Sequence, residues 1–485
     1  MDTSSANLSA KLSESAKIDA HCRSVGAVPQ RAAVELSLVE RLALLVGIVE
    51  IPLQIDKYFM YHQDDASLGA VGGFNLSFTT LALIYLYARW FADMALHRRR
   101  TILPPLFGIP MVFYLGTVLL SSLSASVTML TYFDFANLMH GYLLFFYIAN
   151  RVQTHKDVLF MLLALATTLL VQAMLIFFAS VIGMDDEQRA FGPLLLTVDK
   201  GRRHGGSMHS PVLAGSTMAL IWLPVASALT FVRQRWCWSY LVVATGAGML
   251  AILLTQTRGA LLTSAIGSVI LGAGLLARGW LPKWTLPMAM LLGVMSIYPM
   301  FLIYKKRIEH GDGDSAIARK HLSLIALETI AERPILGHGS GNCHIAAQDI
   351  ANQGEYRSEW YFTIHSKYLL VWIETGLIGL IAFLGVLGTG FYHGLACWRS
   401  RDPALSVLGL ALFAALAGHS VHMMVDVFNS RTQVQMLWCM LGLAAAVYKL
   451  SRHGTNSSAN PKTVSRRAIR SRFATNRFEI AGGVA

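Results

Sequence analysis

Two side chains are placed where they could do chemistry at a membrane surface. Arg258 stands in Thr255-Gln256-Thr257-Arg258-Gly259, a tight turn between two apolar runs with no acidic neighbour in sequence. An arginine there is costly unless paired, so it needs an anion, supplied by the protein as a structural ion pair or by a ligand. Its planar, permanently charged fork suits phosphate, which it can hold through two parallel bonds. His365 opens another apolar run, His365-Ser366-Lys367-Tyr368. Imidazole titrates near neutral pH. A histidine at that depth could take a proton from a hydroxyl or orient it, although a lone histidine more often serves structure.

Other polar groups interrupt the apolar runs. Glu374 follows His365 by nine residues. On one continuous helix the two would point about half a turn apart, which makes Glu374 a packing or hydrogen-bonding group. Glu50, Asp134 and His140 are intramembrane polar groups, either functional or satisfied contacts between helices. His419, His422 and Asp426 recur at i, i+3 and i+7 at a helix end. With no further glutamate or histidine nearby, that spacing favours a supporting or acceptor-binding role over a metal. Gly337-His338-Gly339-Ser340-Gly341 resembles a phosphate loop only superficially, because no strand precedes it.

The elements that carry these residues are apolar. The chain of 485 residues is 54% hydrophobic and 14% charged, with mean hydropathy +0.49. Soluble domains carry about 25% charged residues. The composition therefore predicts an all-α polytopic membrane protein, since runs such as 159–182 do not alternate as barrel strands would. About twelve runs reach the length of a membrane span. They fall near 36–55, 71–92, 102–122, 128–149, 158–182, 209–231, 237–255, 259–277, 284–303, 366–396, 403–424 and 433–450.

Lys and Arg cluster at alternate ends of these runs, which predicts that the clusters and both termini face the cytoplasm. The same rule explains the net charge of +12 without nucleic acid. The segments 56–70, 123–127, 183–208, the turn at Arg258, a long loop at 305–365 and 425–432 are then extracytoplasmic. Residues 1–34 read as a disordered cytoplasmic extension, 35–450 as the membrane domain and 451–485 as a basic cytoplasmic tail able to meet anionic lipid. Within the loop, 315–331 reads as an amphipathic helix capped by Asp314 or Ser315 and stopped before Pro334. Cys22, Cys237, Cys343, Cys397 and Cys439 have no paired spacing, so no disulfide or thiolate metal site is expected.

Four motifs recur in order on the outer side. They are Arg203-His-Gly-Gly206-Ser-Met-His-Ser-Pro211, Thr255-Gln-Thr-Arg258-Gly259, Ser315 with Arg319 leading into Arg333-Pro334-Ile-Leu-Gly337-His-Gly339, and His365-Ser366 leading into Glu374-Thr-Gly376-Leu-Ile-Gly379. This order resembles the O-antigen ligase and polysaccharide polymerase superfamily of bacterial inner-membrane glycosyltransferases. Ser366 stands where that family often has Asn, and Thr255-Gln-Thr257 where it often has a serine pair. Both substitutes keep hydrogen-bonding side chains.

The resemblance implies a metal-independent, inverting transfer without cofactor. The donor would be a glycan on undecaprenyl pyrophosphate. The acceptor would be a hydroxyl on lipid A–core, on a growing polysaccharide or, in some members, on a protein. Arg203 and Arg258, with Arg319 as a third, would hold the pyrophosphate; His365 would act on the acceptor, with Arg258 sharing the catalytic work. Membrane lipids and other polysaccharide-assembly proteins are the expected partners. The competing readings are a polysaccharide transporter or flippase, which repeat symmetry would favour, and a scaffold in an export complex. No repeat is evident in the sequence.

Overall fold

Local signals set where the first helices begin. Ser37 and Glu40 form a reciprocal capping box that starts α1 (Leu38–Leu53). Thr154 accepts the Asp157 N–H at the start of α6, and Asp402 accepts those of Ala404 and Leu405 at the start of α13. Between these come β1 (Asp56–Phe59), α2 (Gln63–Ser67), β2 (Phe74–Ser77), α3 (Phe78–His97), α4 (Ile109–Leu120), α5 (Thr128–Arg151) and α6 (His155–Val181). There follow β3 (Glu187–Phe191), β4 (Leu194–Asp199), β5 (Arg203–Gly206), α7 (Pro211–Ala228), α8 (Arg235–Leu254) and α9 (Arg258–Ala277). The chain closes with α10 (Gly313–Glu332), α11 (Cys343–Gln353), α12 (Lys367–Trp398), α13 (Pro403–His422) and α14 (Arg431–Asn456). This computed structural model describes residues 35–97, 108–280, 313–353 and 363–456.

The described chain is mostly helical. Seven helices, α6, α7, α8, α9, α12, α13 and α14, are long and apolar enough to cross a membrane, and the helix over Ile109–Ser124 is a shorter apolar one. Among the described residues, helices occupy most of each expected span; 102–107 and 284–303 lie outside them. The extension 1–34, the tail beyond Asn456 and Arg357 also lie outside the described residues. The apolar span of α14 is 89% buried and that of α8 only 28%. α14 is therefore the central helix, packed on α5, whereas α8 offers most of its surface to lipid. Basic groups gather at one end: Arg151 meets Glu40 at 2.6 Å, Arg41 meets Asp157 at 3.1 Å, His155 meets Asp402 at 2.9 Å, and Lys449 donates to the Ala149 carbonyl at 2.6 Å.

The opposite end carries the strands, which the all-helical expectation omits. β1 and β2 form an antiparallel pair, and β3, β4 and β5 a three-stranded antiparallel sheet. Gly192-Pro193 supplies the two-residue turn between β3 and β4, with Gly192 at φ +60°. Leu196 and Val198 of β4 bury against Ala179 and Met184 at the end of α6. Glu50, Asp134 and His140 turn out to be held by neighbouring elements. Glu50 meets Arg431 at 2.9 Å and accepts the Thr79 N–H at 3.0 Å. Asp134 accepts the Ser340 hydroxyl, and His140 pairs with Gln435 at 3.1 Å. Arg431 also reaches Asp56 at 2.9 Å, so one buried guanidinium serves two carboxylates.

α12 is not one continuous helix. Gly376 has φ +69° and ψ −174°, a break inside it. His365 lies before its first turn, so the half-turn relation expected between His365 and Glu374 does not apply. The break frees backbone groups, and the Gly-rich turn satisfies them. The N–H groups of His338 and Gly339 donate to the carbonyls of Ile373 and Glu374 at 2.8 and 2.9 Å, and the Leu377 N–H donates to Pro334 at 2.8 Å. The Gly341 N–H donates to the Glu374 carboxylate at 3.0 Å, and that of Ser340 to the Ser121 hydroxyl at 3.0 Å. The turn spends its N–H groups inside the protein, which is why it cannot cradle a phosphate. Glu374 is the buried hydrogen-bonding group the sequence implied.

α10 spans Gly313–Glu332, so Asp314 and Ser315 lie inside its first turn rather than at its cap. Its apolar side splits. Leu322, Ile325 and Ile330 are buried, whereas Leu324 and Leu327 are exposed. The helix lies on the bundle through one half of its apolar surface.

Candidate functional site

At the strand-bearing end, α9 begins with Arg258 after Thr257, whose hydroxyl donates to the Pro211 carbonyl at 2.9 Å. That bond ties the Arg258 turn to the start of α7. Gln256 reaches back to the Gly201 carbonyl at 3.3 Å, in the loop just before Arg203. Arg203 opens β5 opposite Asp199 on β4. Burial pushes the Asp199 carboxyl up and the Arg203 charge opposes it, with a net rise. The Arg203 hairpin therefore leans on the Arg258 turn, and Arg203 has a carboxylate within its field.

The other side of the Arg258 turn meets the end of α13. Gly259 lies against His422 so closely that a Cβ there would fall 1.9 Å from His422 Nε2. The His422 Nε2 lies 3.6 Å from Asp426 Oδ2 in the turn that follows. Burial raises the Asp426 carboxyl, but His422 close beside it, the Val427 N–H and the charge of His365 bring it below its usual value. Asp426 is thus held as an anion.

Asp426 in turn faces His365. Burial lowers the His365 pKa below its usual 6.5, the Asp426 charge opposes that fall, and the Arg319 charge adds to it. His365 is half-buried and Arg319, on α10, is exposed. A neutral imidazole at neutral pH with an anion beside it is the state a proton acceptor requires. Arg203, Arg258, Arg319 and His365 come from four separate elements, and the contacts above link them around one end of the bundle.

Sequence reasoning raised His419, His422 and Asp426 as a supporting or acceptor-binding group and did not connect them to His365. The i, i+4 spacing of His422 and Asp426 was the available signal. The partnership with His365 depends on the ends of α12 and α13 meeting. Arg431 was missed altogether, because nothing local distinguishes it from an ordinary loop arginine.

Gly259→Ala should test this construction. His422 is 2% exposed and packs edge-on against Phe428 at 4.8 Å, so its ring has little room to retreat. Overpacking costs about 1–3 kcal/mol, enough to shift His422 off Asp426. The variant is expected to reach the membrane and to lose at least about tenfold in activity. Full activity in purified protein would remove His422 and Asp426 from the site.

These features suggest a multi-pass helical membrane protein, with the Arg258 turn, His422, Asp426 and His365 gathered at one end of its bundle. Residues 241–384 match the family model of O-antigen ligase. The match supports the O-antigen ligase and polymerase superfamily, and with it a glycosyl-transferring role in polysaccharide assembly. It covers α8 from Leu241, α9, α10, α11 and α12 as far as Leu384, so Arg258, Arg319, His365 and the Gly376 break fall inside it. Arg203, His422 and Asp426 lie beyond it. No curated protein matches the chain.

Proposed function

We propose that this protein transfers a glycan from undecaprenyl pyrophosphate to a glycan hydroxyl, on lipid A–core or on a growing chain, at the periplasmic face of the inner membrane. The carrying observation is that the turn bearing Arg258 packs on His422, which stands beside Asp426, whose charge acts on His365, with Arg258 and His365 inside the segment that matches O-antigen ligase. In this reading the chain has about twelve spans, a periplasmic loop over 305–365 and cytoplasmic termini, in keeping with the positive-inside rule.

The reaction is a single displacement. The acceptor oxygen attacks the first sugar carbon, and the bond from that carbon to the pyrophosphate oxygen breaks. The bonding pair leaves with the pyrophosphate, and the configuration inverts. Arg258 and Arg203, with Arg319, offset the charge that grows on the leaving pyrophosphate. His365 receives the hydroxyl proton, and Asp426 stabilises the imidazolium formed.

The test is transfer by the purified chain in vesicles containing undecaprenyl-pyrophosphate-linked glycan and acceptor. A new glycosidic bond with release of undecaprenyl pyrophosphate is expected. Movement of the lipid-linked glycan across the vesicle without a new bond would overturn the enzyme reading in favour of a flippase.

A further inference from the structure

Lys367 opens α12 two residues after His365 and is only 6% exposed. Lysine is among the residue types least often buried, and burying its charge is unfavourable unless the ammonium is matched. Two buried carboxyl groups, Asp134 and Glu374, lie within its field. They account for its charge but not for where its bonds go.

Those bonds go to the turn that carries Asp426. The Lys367 ammonium donates to Asn429 Oδ1 at 3.0 Å, and its backbone N–H donates to the Met423 carbonyl at 2.9 Å. Met423 and Asn429 stand three residues before and three residues after Asp426. The adjacent Tyr368 hydroxyl donates to the Ser420 carbonyl at 2.9 Å, within the last turn of α13. One residue thus clasps both ends of the Asp426 turn and binds it to the segment that bears His365.

We propose that Lys367 is a positioning residue that holds His365 against Asp426. The inference rests on the transferase reading above and deepens it. The charged or titratable groups facing His365 are Asp426, with His422 of α13 beside it, and Arg319 of α10; those facing Lys367 are Asp134 of α5, Cys343 of α11 and Glu374 of α12. If the clasp loosens, the Asp426 charge moves off His365 and no longer opposes the lowering by burial. The acid limb of the rate profile, where His365 takes up its proton, then moves to lower pH.

Asn429→Ala is the main variant, because it leaves the Lys367 ammonium facing its two carboxyl groups. It should lower kcat by roughly ten- to hundredfold, the range a misplaced catalytic group produces. It should also shift the acid limb downward, with donor KM unchanged. Asn429→Asp, which restores an acceptor for the ammonium, should recover kcat to within about threefold of wild type. Lys367→Met should reproduce the Asn429→Ala profile if the protein folds.

His365→Ala serves as the reference. If it is inactive while Asn429→Ala keeps the wild-type kcat and acid limb, the clasp is wrong and the transferase reading stands. A loss of kcat with no change in the acid limb, or without recovery in Asn429→Asp, shows a merely structural bond and also overturns the proposal. An active His365→Ala protein would overturn the transferase site itself, and the clasp with it.

Discussion

His365→Ala is expected to abolish measurable glycan transfer, with a fall of roughly 10²–10⁴-fold, the usual contribution of a general acid–base group. The variant should still insert and purify, because His365 precedes α12 and is only half-buried. Arg258→Lys should lose activity too. Lysine keeps the charge but not the planar fork that holds pyrophosphate through paired bonds. The wild-type rate should rise with pH through a limb below the ordinary histidine value of 6.5, because burial lowers the His365 pKa and the neutral ring is the active form. Reconstituted variants assayed for transfer between about pH 5 and 8, the window in which histidine titrates, decide the matter. Normal turnover in either variant means the site is elsewhere.

Gly376→Ala is expected to be the most damaging single-methyl change in the bundle. The backbone at Gly376, φ +69° and ψ −174°, falls where only glycine is at ease. A Cβ would also lie 1.9 Å from the Ile335 oxygen and 2.2 Å from its carbonyl carbon, both backbone atoms that cannot rotate away. Strain and crowding together should cost about 2–6 kcal/mol. That is enough to lower the yield of folded protein and its melting temperature in detergent. Gly388→Ala, further along the same helix with nothing within 4 Å of its added Cβ, is the control. It should be neutral or slightly stabilising. If Gly376→Ala melts with the wild type, the break in α12 is dispensable and the Gly-rich turn is not its clamp.

Much of this was legible in the residues. Lipid cannot solvate a bare backbone group, so spans must be continuous apolar helices, and hydropathy alone locates them. Arg258 and His365 stand out by the same logic, because a polar group at the edge of an apolar run is conspicuous in its own sequence. The small sheets were missed. β3 and β5 are short and largely polar, and only β4 carries buried apolar residues. The break in α12 had one unused signal. The run over 366–396 is much longer than the ~20 residues a span needs, and Glu374-Thr375-Gly376 interrupts its first third.

The sequence by itself determined the helical membrane class, the apolar runs that become its helices and the residue types available at their ends, because each follows from local composition and from the demands of lipid on the backbone. Tertiary structure decided which of those residues act on one another. Asp426 becomes the partner of His365 only because the start of α12 meets the end of α13 and Lys367 clasps the turn that follows α13. Glu50 and Asp134 were intramembrane carboxyls of open meaning until Arg431 of α14 and Ser340 of the Gly-rich turn were brought to them from far along the chain. Electrostatic partnership falls off over a few ångströms in space and is blind to distance in sequence, so only the folded chain could assign it.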